Sequence, residues 1–117
     1  MIPGTKSMDP IGQPALTEAV DLLWARFLPQ MQERVAILEA AAAVFAAGGL
    51  SNEQHVAANE AAHKLAGVLG TFGLTRGTVL ARELEMMYSR DGGPDPDLAT
   101  RLSEIAAELR ALVENRK

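Results

Sequence analysis

Two histidines, His55 and His63, are the side chains of this 117-residue chain best suited to nucleophilic or acid–base work near neutral pH, since cysteine is absent. The surroundings of His63 are unusual. The apolar stripe of its segment is expected to be Ala58, Ala61, Leu65, Val68 and Phe72. At about 100° per residue His63 then lies about 160° from Leu65, on the outward side of a helix. Its neighbours there, three and four residues away, are Asn59, Ala66, Gly67 and Gly70. An ordinary solvated face would carry Lys, Glu and Arg. Glycines such as Gly67 and Gly70 each lose about 1 kcal/mol against alanine inside a helix, so they point to close approach of another backbone. That backbone could belong to a neighbouring helix of the same domain or to a partner.

A helical hairpin centred near Gly73 sets His63 opposite about residue 83, where Arg82 and Glu85 flank the level. A carboxylate beside an imidazole can accept its Nδ1–H, fix the tautomer and leave Nε2 free as a nucleophile. Lys64 and Arg82 could offset the charge of a phosphoryl group. As bare surface charges, all three would mean little.

The elements that must position these groups are helical. Residues 1–14 hold three prolines and two glycines without periodicity and read as a flexible tail before a domain over 15–117. Leu16, Val20, Leu23 and Phe27 line one helix face, and Pro29 is expected to kink or break that helix. The stripe resumes at Met31, Val35, Leu38, Ala42 and Phe45 and stops at Gly48-Gly49. Ser51 and Gln54 form a capping-box pattern that opens a helix from about residue 52 to about Thr71. Thr75 is the expected cap of a third helix to about Ser89, built on Leu80, Leu84 and Met87. Arg90–Pro94 reads as a loop, and Asp95-Pro96 starts a last helix on Leu98, Leu102, Ile105, Leu109 and Leu112. Short connections make neighbouring helices antiparallel. The expected fold is therefore all-α, an antiparallel up-down four-helix bundle with an additional N-terminal helix or a kinked first helix.

Composition excludes several functions. The net charge of −4 disfavours a nucleic-acid binder that works by neutralising phosphates. No apolar run approaches the ~20 residues of a membrane span, and the N-terminus lacks a secretory pattern, so a soluble, cytoplasmic domain without membrane contact is expected.

The stretch Ala62-His63-Lys64-Leu65-Ala66-Gly67-Val68-Leu69-Gly70-Thr71-Phe72-Gly73-Leu74 resembles the signature of histidine-containing phosphotransfer (HPt) domains. In that family glycines follow the phosphorylatable histidine at four, seven and often ten residues, as Gly67, Gly70 and Gly73 follow His63. A Gln or Glu twenty-two residues after the histidine is common, and Glu85 stands there. The dozen-residue motif is specific, and the resemblance in fold covers most of residues 16–114. It implies a two-component phosphorelay intermediate with Nε2 of His63 as nucleophile and Glu85 orienting the ring. The phosphate and partner contacts would be Lys64, Arg82, Gly67, Gly70, Ala66 and Asn59. The partners would be a response-regulator receiver domain and a hybrid histidine kinase. The domain would need no cofactor of its own, the receiver supplying Mg²⁺, and it would have no ATP-dependent kinase activity. One departure is Ala66, where the family commonly has lysine, with Lys64 or Arg82 as substitutes. The alternative is a degenerate domain that binds receivers without accepting phosphate.

Other chemistries fit less well. Glu60-x-x-His63 matches one ligand pair of a di-iron bundle, but His55 has no Glu three residues before it, and no metal site is expected. No nucleophile-elbow motif supports a Ser-His-Asp hydrolase. His55 reads as a surface histidine near a helix start, and Trp24 and Tyr88 as core or rim packing.

Overall fold

The computed structural model describes the backbone of residues 3–90 and 93–116, with side chains from residue 16 onward within those ranges. The described elements are α1 (Pro3–Ala47), α2 (Asn52–Thr71), α3 (Thr75–Ser89), a single 3₁₀ turn (Pro96–Leu98) and α4 (Ala99–Glu114). The described residues hold no strand. Packing joins α1 to α2, α2 to α3, α3 to α4 and α4 back to α1, which closes a four-helix ring.

Cross-helix pairs fix the directions. Arg110 of α4 reaches Glu39 of α1, whereas Arg116 further along reaches back to Asp21. Arg76 of α3 pairs with Glu108 of α4, while Glu83 pairs with the earlier Arg101. Each progression runs in opposite senses on the two helices, so the bundle is up-down and antiparallel as expected.

The ends follow local chemistry. The Ser51 hydroxyl accepts from the Gln54 amide at 3.1 Å and the Gln54 side chain accepts from the Ser51 amide at 2.8 Å, completing the capping box. At the far end of α2, Gly73 turns into the left-handed region at φ +74° while the Leu74 N–H donates to the Leu69 carbonyl. Thr75 does not cap α3: the cap position is Leu74, with no side-chain bond, because the helical turn already begins one residue earlier than the threonine pattern suggests. Asp95 does cap the turn before α4, accepting from the Asp97 amide at 3.0 Å. Of the expected loop 90–94, residues 91–92 lie outside the described residues.

α1 differs from expectation in two ways. It runs unbroken through Pro29. Proline removes the donor to the Ala25 carbonyl, but Pro29 and Ala25 are both exposed, so water can satisfy that carbonyl. The buried face continues past it through Trp24, Met31, Val35 and Leu38. The helix also starts at Pro3, within the stretch expected to be a tail. Pro3 stands in the first turn, where it loses no intrahelical bond, whereas Pro10 and Pro14 each remove one donor from the helix. At 69 Å the longest dimension of the molecule matches 45 helical residues at about 1.5 Å each. The early stripe is corrected: Leu16, Leu23 and Phe27 are exposed, and Trp24 is the buried residue of that region.

The core is aliphatic, with Leu65 and Leu69 of α2, Leu80 and Leu84 of α3, and Leu102, Ile105 and Leu109 of α4 almost wholly buried. No side chain in it is charged. At the end of the α2–α3 hairpin, the rings of Trp24 and Phe72 meet edge to face at 5.1 Å, with the Arg116 guanidinium 4.9 Å from the indole. Trp24 and Tyr88 thus pack into the core as expected.

Candidate functional site

α2 carries His63 on the side turned away from Leu65, and the side chain is 65% exposed. Its Nδ1 lies 2.6 Å from Oε2 of Glu85 on α3. A carboxylate can only accept, so in a neutral imidazole the proton sits on Nδ1 and Nε2 keeps its lone pair. Glu85 is three-quarters covered, which limits its motion. Its other oxygen, Oε1, faces Arg82 at 3.8 Å. Glu85, which flanks the level reached by hairpin counting and stands at the twenty-two-residue position implied by the resemblance, is in direct contact with His63.

Asn59 is half-buried on the α3 flank, and its Nδ2 donates to the Glu85 backbone carbonyl at 2.8 Å. Together with the Thr78 hydroxyl donating to the Ala66 carbonyl at 3.3 Å, it ties α2 to α3 at the level of the site. Asn59 therefore holds the backbone of the residue that holds the histidine.

The glycines separate into two kinds. A Cβ on Gly67 would meet nothing within 4 Å, and one on Gly70 only the Thr78 side chain at 3.4 Å. Neither is needed for tight packing inside the bundle. Gly77 is: a Cβ there would lie 2.8 Å from Leu69. The smooth surface beside His63 thus faces outward, as one of the two alternatives had it.

Ala66 is corrected. It is 1% exposed and belongs to the core, not to the outward face. Three residues on from His63 is about 60° back toward Ala62, and that side of α2 packs on α3. Lys64 is exposed, with Nζ 3.6 Å from Glu60 one turn earlier. Arg82 is exposed and turned to Glu85. Both proposed cations are therefore partly neutralised by neighbours.

Three residues of α1 were not anticipated. Phe27, Gln30 and Arg34 form the other wall of a shallow groove whose α2 side is His63, Lys64, Gly67, Val68 and Thr71. The same hairpin geometry about the connection at Gly48–Ser51 sets His63 opposite about residue 36, within one turn of Arg34. Among the described residues no group of three or more His, Cys, Asp or Glu side chains is placed to hold a metal ion. No described helix is long and apolar enough to cross a membrane.

A four-helix bundle that presents one imidazole, fixed by a carboxylate across a hairpin, on a helix face stripped of bulk defines a helical histidine-display domain. The sequence profile of the Hpt domain matches residues 22–116, and the chain belongs to that family. Protein RcaC of Microchaete diplosiphon is 40% identical over 62 residues, which is 53% of this chain and 10% of that protein. No solved structure gives a significant match.

Proposed function

We propose that this chain is a phosphorelay intermediate in which His63 accepts a phosphoryl group from a receiver aspartate and passes it to another receiver. The carrying observation is the exposed ring of His63 with Nδ1 2.6 Å from Glu85. The Nε2 lone pair attacks phosphorus in line, the N–P bond forms, and the P–O bond to the aspartate breaks, returning that carboxylate. The ring keeps its Nδ1–H, and the positive charge it gains is balanced by Glu85 across the hydrogen bond. Transfer to the next receiver reverses these steps. This domain supplies position and access; the family resemblance assigns Mg²⁺ and the acidic pocket to the receiver. The open surface over Gly67 suits close docking of that partner.

Phosphoramidate, a small-molecule phosphoryl donor, tests the acceptor without a partner. Wild type should gain one acid-labile, base-stable phosphoryl group, and His63→Gln should gain none. Equal labelling of His63→Gln would overturn the assignment. A fold that binds receivers but is never labelled would instead support the adaptor reading.

A further inference from the structure

Three cations lie near His63, and they are not equivalent. Lys64 is 3.6 Å from Glu60, and Arg82 is 3.8 Å from Glu85. Arg34 stands across the groove on α1. It is half-buried, so its stem is held against the bundle. Among the described residues it makes no ion pair and no side-chain hydrogen bond. An uncommitted guanidinium beside a nucleophile is a prepared anion site, because its planar fork of donors matches two oxygens of a phosphoryl group.

Ring orientation points the same way. Nδ1 is turned to Glu85 on α3. Nε2, on the other side of the ring, is therefore turned away from α3, and the groove His63 shares with Arg34 lies on the α1 side of α2. Gly67, whose Cβ position is empty, leaves the floor between them clear.

We infer that Arg34 of α1 binds the phosphoryl oxygens as the group is transferred to and held on His63. This rests on the phosphoacceptor reading above. The Arg34 N–H groups donate to two non-bridging oxygens while Nε2 forms the new bond to phosphorus and the donor's bond breaks; no proton leaves the guanidinium. Arg34 thus supplies a cation to a site where position 66 offers only the buried methyl of Ala66.

The test is phosphoramidate labelling of the full chain, with Arg34→Met chosen because it keeps the apolar stem. Labelling of His63 should slow by about tenfold, Arg34→Lys should recover part of the loss, and the ³¹P resonance of the phosphohistidine should shift in Arg34→Met. Lys64→Met and Arg82→Met should each change the rate less than about threefold. Thermal unfolding, measured in parallel, should be nearly unchanged in all of them. An Arg34→Met protein that folds, labels at the wild-type rate and keeps its ³¹P shift would overturn the inference, as would a larger loss in Lys64→Met or Arg82→Met. These outcomes differ from failure of the phosphoacceptor reading, in which wild type itself would not label.

Discussion

His55 and His63 sit two turns apart on one helix and live in opposite surroundings. His63 is exposed, its Nδ1 is partnered, and the helix face beside it carries no bulk. His55 is half-buried against the Tyr88 ring at 6.3 Å, its Nδ1 is buried without a partner among the described residues, and Gly93 is packed directly onto its ring. One ring is held at Nδ1 and otherwise open to solvent; the other is packed between Tyr88 and Gly93. Only His63 therefore combines a fixed tautomer with an open approach, the two conditions that the proposed phosphoacceptor role requires.

The sharpest way to break that contrast is to exchange the roles. His63→Gln should abolish phosphoramidate labelling while His55→Gln labels as wild type; dependence on His55 would erase the distinction. Next comes the tautomer. Glu85→Ala should slow labelling by about tenfold or more, with melting nearly unchanged, because it removes the acceptor that fixes the ring. The surroundings of His55 should respond in stability instead. Gly93 has φ +81°, and a Cβ there would run into the His55 ring. Gly93→Ala should therefore lose about 1–3 kcal/mol in denaturant unfolding, with the labelling rate of the folded protein unchanged.

The smallest effect concerns Tyr88. Burial pushes its hydroxyl up to about 12 from an ordinary value near 10. The raised group prefers to stay protonated in the folded state. Its contribution is fully present below about pH 10 and is lost as pH rises through about 12. Tyr88→Phe should weaken that alkaline loss. It should leave stability at pH 7 within about 1 kcal/mol, since the hydroxyl has no partner among the described residues.

Much of this was legible in the sequence because it depends on local pattern. The capping box at Ser51, the glycine end at Gly73 and the stripe of α4 are short-range signals, and each is present. Glu85 was reachable because a short hairpin converts sequence distance into height along a neighbour. What was misread depends on which helices cover which face. Ala66 looked outward by spacing, yet the packing of α3 places it inside. Leu16 and Leu23 kept the spacing of a stripe, yet Trp24, not Leu23, is the side chain turned to Phe72 and buried. Pro29 was expected to interrupt α1, but its freed carbonyl lies on the wet side. Arg34 carries no motif and is visible only once α1 and α2 share a groove.

Whether a ring held at Nδ1 by Glu85 takes the phosphoryl group on Nε2 of His63 can be read from ³¹P–¹⁵N correlation on the phosphorylated, ¹⁵N-labelled chain. One phosphohistidine is expected, bonded through Nε2 of His63, with Nδ1 still protonated and the His55 ring unmodified. A phosphoryl group on Nδ1 of His63, or on either nitrogen of His55, would contradict it.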